Sequence, residues 1–254
     1  MFFGKAKKKS SFRYGVFGDN DFTTSFNGTV IDGVEKIDES LMLDDLCVSG
    51  KALFMGEVDA DKIVIYGDAE FRDFTTCDDI SIIGDAEFKR EIVCESLVIS
   101  GKAEILGSVS ADVLIVEGGM IVNSKIKTIS LNVSGELRCN DKIYADKVLV
   151  KGSLESVGCV RCIDIRFTSE RKSSLERIVT DKLVAVNRSD EFNDLVLVCG
   201  EAECGVANLE CAKIDYLRCE RCKIGSGCVI GKLECRGKAE IAQDASVERI
   251  INIC

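Results

Sequence analysis

Cysteines are the residues with the clearest potential for chemistry, because two pairs have the spacing of metal ligands. Cys159 and Cys162 form the motif CVRC, and Cys219 and Cys222 form CERC. Two such pairs can surround a structural zinc ion with four thiolates in a tetrahedron. Eight of the fourteen cysteines lie within residues 199–254. A metal or cluster site, if the chain has one, is therefore expected in the C-terminal half.

Carboxylates provide the second candidate chemistry. Glu70, Glu87 and Glu104 recur at one constant interval, and a pair of such groups could serve a glycosidase. No feature of the sequence selects a catalytic pair, and the chain has no histidine, the side chain most often used as a general base at neutral pH. We predict that these glutamates form a solvated face, with a cation or partner site as the alternative. No catalytic residue and no cofactor is assigned, and the chain is not expected to be an enzyme.

A 17-residue repeat must position all of these groups. From Gly50 onward, the side chains two and four residues before each repeating glycine are aliphatic, as Leu46 and Val48 are before Gly50. Alternation with a period of two indicates strands with one buried face, and a fixed period over many repeats indicates a solenoid. The repeating glycines are Gly33, Gly50, Gly67, Gly84, Gly101, Gly118, Gly135 and Gly152.

Each repeat contains three short alternating runs, which predicts a specific all-β fold. We expect a single-stranded parallel β-helix, a triangular solenoid with 17-residue coils. The glycine is expected to form a corner with a positive φ, and acidic residues such as Asp61 and Asp78 are expected to form another. The chain has no proline, so every backbone N–H is available to a continuous hydrogen-bond ladder.

The repeat also provides a structural explanation for the cysteines. Cys77, Cys94 and Cys162 fall at the same place in their coils, where other coils carry Ala60 and Ala111. Free cysteine packs as a small hydrophobic side chain. We therefore predict that the cysteines fill the core and assign no metal ligand, while the site in the C-terminal half remains the alternative.

The register of the repeat fails after Gly152. The next glycine in a similar context is Gly200, which falls short of the position that three full coils would reach. The intervening sequence is charged and uneven. We therefore divide the chain into a basic and aromatic tail (1–26), a regular β-helix (27–165), an irregular coil or loop (166–194) and C-terminal β-helical coils (195–254).

The charge is distributed unevenly along the chain. Residues 1–14 carry +5, and the rest carries −15 of the net −10. An acidic body disfavours nucleic acid as a partner. The start MFFGKAKKKS could insert aromatic rings at a bilayer surface while its lysines bind anionic headgroups; a disordered solubilising arm is the alternative. The predicted membrane-targeting residues are Met1, Phe2, Phe3, Lys5, Lys7, Lys8 and Lys9.

The sequence also predicts a cellular compartment and a mode of self-association. No segment resembles a signal peptide or reaches transmembrane length, so we expect a cytoplasmic protein with reduced thiols. A solenoid covers its apolar interior laterally and leaves it bare at both ends, where unpaired strand edges invite another copy. We expect self-association through the polymer ends, which we assign to Val30, Ile31, Ile250, Ile251 and Ile253.

The glycine-cornered β-helix, preceded by a tail that begins MFFGKAKKK, resembles the bactofilins, a family of bacterial polymer-forming cytoskeletal proteins. The resemblance runs from about Phe26 to the end, and Met1, Phe2, Lys5 and the lysines at 7–9 match the membrane-targeting start of the family. It implies a right-handed helix, nucleotide-independent filaments built end to end, and a membrane-bound platform for envelope or cell-shape proteins. The absence of proline-rich arms and the break near 166–194 depart from the family pattern.

The sequence therefore predicts a structural scaffold that polymerises at the inner face of the cytoplasmic membrane. Two alternatives remain. The first is a monomeric β-helical binding or adaptor module, with 166–194 and the acidic face as docking surfaces. The second is a cysteine-ligated metal-binding protein.

Overall fold

The computed structural model describes residues 28–168, 171–187 and 195–252, and in these ranges the chain is all β with no helix. None of the described residues forms a helix of the length and hydrophobicity needed to cross a membrane. The strands are β1 (Thr29–Ile31), β2 (Val34–Ile37), β3 (Leu41–Val48), β4 (Lys51–Phe54), β5 (Val58–Ile65), β6 (Asp68–Phe71), β7 (Thr75–Ile82), β8 (Asp85–Phe88), β9 (Ile92–Ile99), β10 (Lys102–Ile105), β11 (Val109–Val116), β12 (Gly119–Val122), β13 (Ile126–Val133), β14 (Glu136–Cys139), β15 (Ile143–Val150), β16 (Ser153–Phe167), β17 (Ser173–Ala185), β18 (Leu197–Leu209), β19 (Ala212–Ile224), β20 (Val229–Cys235), β21 (Ala239–Ile241) and β22 (Ser246–Asn252).

Each coil has three sides, and each side turns two residues inward. In the coil formed by β5 and β6, two adjacent exposed residues, Asp61 and Lys62, mark one corner. Pairs of inward residues on either side of each corner close the core, and burying each large aliphatic or aromatic member contributes roughly 1.5–3 kcal/mol. The six inward residues of this coil are Val58, Ala60, Ile63, Ile65, Ala69 and Phe71.

Successive coils pair in parallel and in register, so each inward position becomes a column along the solenoid. Val109, for example, lies opposite Ile92 of the coil before it and opposite Ile126 of the coil after it. One such column carries three stacked rings, with centroids 4.6 Å apart for Phe54–Phe71 and again for Phe71–Phe88. The stack extends over about 13 turns. The predicted parallel β-helix with 17-residue coils is confirmed.

The repeating glycines serve a purpose different from the predicted one. Among the described glycines, a positive φ occurs only at Gly227, so the corner glycines do not need the left-handed region. A Cβ added to Gly101 would instead lie 2.1 Å from the carbonyl oxygen of Gly84 and 2.2 Å from that of Ile83. The corners of successive coils approach so closely that only a hydrogen fits between them. The prediction of a positive φ at these corners is wrong, and steric exclusion of Cβ explains the period.

The segment 166–194, for which the sequence predicted an irregular coil or loop, contains a regular strand in its middle. Strand β17 pairs with β16 on one side and β18 on the other. The irregularity lies in the coil lengths. The coil from Ile165 to its partner Leu183 is slightly longer than a regular one, and the coil from Leu183 to its partner Ala207 is much longer. The next coil, from Ala207 to Cys222, is shorter than a regular one. One change of register is a bulge inside β16, between Ser156 and Cys159. The other changes in length fall between strands, and the inward columns continue throughout.

Candidate functional site

The tips of the solenoid are the first candidate site. The predicted membrane-targeting residues Met1, Phe2, Phe3, Lys5, Lys7, Lys8 and Lys9, and the predicted end residue Ile253, lie outside the described residues. The remaining predicted end residues are described. Strand β1 pairs only with β3, and β22 pairs only with β20, within the described part of the chain. In the same ranges, β2 pairs only with β4, and β21 only with β19. Each tip therefore presents unpaired strand edges there.

At the N-terminal tip, Ile31 faces inward and is buried, whereas Val30 is half-buried in an outward column opposite Cys47. The sequence analysis did not assign three further apolar residues here, Ile37, Leu41 and Leu43, which are inward yet only partly buried. Ile37 lies opposite Phe54, and Leu41 opposite Val58. Their membership of the inward columns could have been found by extending the repeat back by one coil.

At the C-terminal tip, the two predicted end residues face in different directions. Ile250 lies opposite inward Leu233, and Ile251 lies opposite outward Glu234. Ile250 is 48% exposed, and inward Ile241 is 38% exposed, because no described coil covers them. The apolar surface of this tip therefore consists of Ile250 and Ile241 together with partly buried Val247, and Ile251 belongs to the lateral surface.

The glycine column also ends at the N-terminal tip. A Cβ on Gly50 would lie 2.1 Å from the carbonyl oxygen of Gly33, whereas a Cβ on Gly33 would meet no atom within 4 Å. Position 33 is therefore a glycine, as close stacking of coils requires, although no described coil stacks on it.

The carboxylate face predicted from Glu70, Glu87 and Glu104 lies along a lateral groove of about 1100 Å³. Repulsion between the stacked carboxylates is relieved by cations slightly further along the same coils. The Arg72 Nε lies 2.8 Å from a carboxylate oxygen of Glu70, and Lys89 forms an ion pair with Glu87. Exposed ion pairs of this kind contribute little to stability. They explain how carboxylates can stack along a solvated face.

The cysteines follow the predicted small column in part. Cys77 lies opposite Cys94, and both are buried. Burial raises the pKa of each thiol to about 12, which keeps both protonated and unreactive at neutral pH. Core packing accounts for this pair.

The two CxxC motifs differ in structure. In CVRC, Cys162 is buried, but Cys159 is half-buried and precedes the inward residue Val160. In CERC, both Cys219 and Cys222 are buried, and the Sγ atoms of these two and of Cys235 all lie within 4.8 Å of one another. The fold therefore brings the second motif together with a third thiol.

The thiols of this group interact directly. A hydrogen bond from the Cys219 thiol lowers the pKa of Cys222; burial opposes this change, and a second hydrogen bond from Cys235 adds to it. The same bond to Cys222, together with burial, raises the pKa of Cys219. A thiolate at Cys222 is therefore stabilised by two neighbouring S–H donors.

Comparison of the chain with protein-family models, with curated proteins and with solved structures gives no match.

Proposed function

We propose that this chain is a non-enzymatic cytoskeletal scaffold of the bactofilin kind, which assembles end to end into nucleotide-independent filaments at the inner face of the cytoplasmic membrane. The observation that carries the proposal is the state of the two tips. The inward columns run the length of the described solenoid, and their terminal members, among them Leu41 and Ile250, are incompletely covered. A second copy that continued the columns would bury these side chains and pair the free strand edges.

Gly33 supports the same proposal. From Gly50 to Gly152, each glycine of this column lies against the backbone of the coil before it, as Gly50 does against Gly33. A glycine at position 33 is explained if a coil of another copy stacks on this corner in the filament. The lateral surface also exposes apolar side chains such as Phe74 and Ile129, so the case for the tips rests on their unpaired strand edges and uncovered inward columns.

The test substitutes Gly33. Gly33→Ala is expected to leave the melting temperature unchanged, because its Cβ meets no atom within 4 Å, and to raise the protein concentration needed for filaments at least about tenfold, since a clash worth about 1.4 kcal/mol has that effect. Sedimentation and negative-stain electron microscopy without nucleotide measure assembly. Gly119→Ala is the matched control: its Cβ would also be unobstructed, with Lys102 Cγ at 4.0 Å, but it lies far from both tips.

Wild-type protein that stays monomeric at high concentration would refute the proposal. It would favour the second candidate, a monomeric binding or adaptor module, which the groove of about 1100 Å³ along the Glu70–Glu104 face supports. Normal filaments from Gly33→Ala would show that no coil stacks on the N-terminal tip.

Membrane association rests on the tail sequence and has its own test. Replacing Lys5, Lys7, Lys8 and Lys9 with glutamine is expected to reduce binding to vesicles containing anionic lipid about a thousandfold, because each lysine near such a surface contributes about 1 kcal/mol. Co-sedimentation with anionic and with neutral vesicles measures this. A variant with four body lysines changed to glutamine controls for net charge. Equal binding of wild type to both kinds of vesicle would contradict the proposed mode of targeting.

A further inference from the structure

The corner geometry of the solenoid explains why CERC differs from CVRC. In the coil of β19, the two residues between the cysteines, Glu220 and Arg221, are the exposed corner pair, and the residues on either side of the corner face inward. Cys219 and Cys222 therefore converge on the interior from two different sides of the triangle. The same relation holds between Ala60 and Ile63 around Asp61 and Lys62 in β5.

Stacking adds two further thiols to this corner. Cys219 lies opposite Cys235 of the next coil and opposite Cys204 of the coil before it. Three successive coils thus place a cysteine at the same inward position, and Cys222 lies beside the middle one. Cys219, Cys222 and Cys235 form the group of three or more potential metal ligands found within the described residues.

The core side chains beside this group of cysteines are also small. The inward column that contains Cys222 is aliphatic and large in the earlier coils, but at the cluster it reads Ala207, Cys222, Ala239. A large side chain opposite each thiol would fill the space between the two sides of the corner, and small residues leave it free. The larger members of the column are Leu46, Ile63, Ile80, Leu97, Leu114, Leu131, Val148, Ile165 and Leu183.

We propose that Cys219, Cys222 and Cys235 bind a single zinc ion inside the solenoid through three thiolates. A Zn–S distance of about 2.3 Å in a tetrahedron places sulfur atoms about 3.8 Å apart, a spacing compatible with the three Sγ atoms, which all lie within 4.8 Å of one another. The chain has no histidine, so thiolates are the ligands available in this apolar interior. Binding releases the thiol protons to solvent.

The ion has a route to the site from the lateral surface. A groove of about 470 Å³ reaches Cys204 and Cys219 and is bordered by charged side chains of both signs, among them Glu203, Arg218 and Arg236. The positive groups offset the negative charge of a three-thiolate zinc centre. The bound ion would join β19 and β20, which lie next to the C-terminal tip, where the coil lengths are irregular. Its role is therefore structural, and the proposal is independent of filament formation.

The experiment measures metal in the purified full chain by mass spectrometry, both as isolated and after reduction and incubation with zinc followed by dialysis. Wild type is expected to retain about one zinc per chain. The Cys219→Ala/Cys222→Ala variant is expected to retain less than about a tenth of that amount, because Cys235 alone cannot hold a tetrahedral ion. Cys77→Ala/Cys94→Ala is the matched control, a stacked buried pair in the same column without a third thiol, and should retain the wild-type amount.

Two further measurements test the ligand set. Cobalt added in place of zinc should give the absorption of a tetrahedral thiolate complex in wild type and in the control variant. Cys235→Ala should change that spectrum, whereas Cys204→Ala, which removes a thiol outside the group of three, should leave it unchanged. If the double variant fails to fold by circular dichroism, stoichiometric release of zinc from wild type by a thiol-specific mercurial decides the question in its place.

Several outcomes would overturn the proposal. These are a wild-type chain without zinc both as isolated and after reconstitution, zinc retained equally by the double variant, and iron with acid-labile sulfide in place of zinc. A Cys219–Cys222 disulfide in the isolated protein that takes up no metal after reduction would also overturn it.

Discussion

Gly118→Ala is expected to destabilise the solenoid by about 3 kcal/mol or more, whereas Gly119→Ala, at the next position along the chain, is expected to be neutral or slightly stabilising. A Cβ on Gly118 would lie 2.0 Å from the carbonyl oxygen of Gly101 and 2.4 Å from that of Ser100. These atoms belong to the backbone ladder, so relief requires separating two coils. Overpacking of a core costs roughly 1–3 kcal/mol, and a clash with backbone belongs at the upper end.

Gly119 is the internal control for this prediction. A Cβ there would touch only Lys102 Cγ at 4.0 Å, and φ at Gly119 is not positive. Alanine then restricts the unfolded chain and stabilises by about 0.4–1 kcal/mol. Urea unfolding of both variants, followed by circular dichroism, measures the difference. Equal free energies of unfolding would refute steric exclusion as the cause of the glycine period.

The glycine column shows how far the sequence alone could lead. The constant spacing of the glycines predicts the coil length, the parallel register and the inward columns, because each follows from which positions are aliphatic. It does not distinguish a glycine needed for a positive φ from one needed for close backbone approach, since both exclude a Cβ. The distance between Gly84 and Gly101 is a property of two stacked coils, and a one-dimensional pattern does not contain it.

The candidate sites were predictable to different degrees. Cys219 and Cys222 were identified from their spacing, but Cys159 and Cys162 have the same spacing and a different structure. The difference depends on where the corner falls, and the register was uncertain after Gly152 because the coils there are first longer and then shorter than the regular ones. Cys235 could be added only when β20 was known to stack on β19 with Cys235 opposite Cys219.

The assignment of the polymer ends was limited by strand parity. Ile250 and Ile251 are both apolar, and a strand places neighbouring residues on opposite faces. When the outward residue is also apolar, the sequence pattern does not show which of the two side chains points into the interior. The ladder decides it, because Leu233 is fully buried and lies opposite Ile250.

A charge placed in one inward column is expected to have opposite consequences at the middle and at the tip. Ile126 and Ile250 occupy the same column, which contains Leu41, Val109, Ile143 and Leu233 among others. Ile126 is fully buried, so Ile126→Arg leaves an unpaired guanidinium among aliphatic side chains. This costs several kcal/mol, a large part of the total stability of a domain, and the variant is expected to lose its β-sheet circular dichroism or its cooperative unfolding.

At the tip, the same substitution affects assembly instead of folding. Ile250 is 48% exposed, so the stem of an arginine can lie on the apolar surface while its charge stays in water. Ile250→Arg is expected to keep the wild-type melting temperature within a few degrees and to abolish filaments, because a stacking coil would bury the charge. Ile251→Arg, on the outward face of the same strand, should assemble nearly as wild type does.

The three variants test folding and filament assembly separately. Lateral coverage of the columns makes the interior intolerant of charge at Ile126, and the lack of coverage at Ile250 makes the tip tolerant of it until another copy arrives. If Ile250→Arg forms filaments as readily as Ile251→Arg, the C-terminal tip is not a contact in the polymer. If Ile126→Arg folds with unchanged stability, the stacked columns are not what holds the solenoid together. Circular dichroism and sedimentation of each variant at matched concentrations provide both answers.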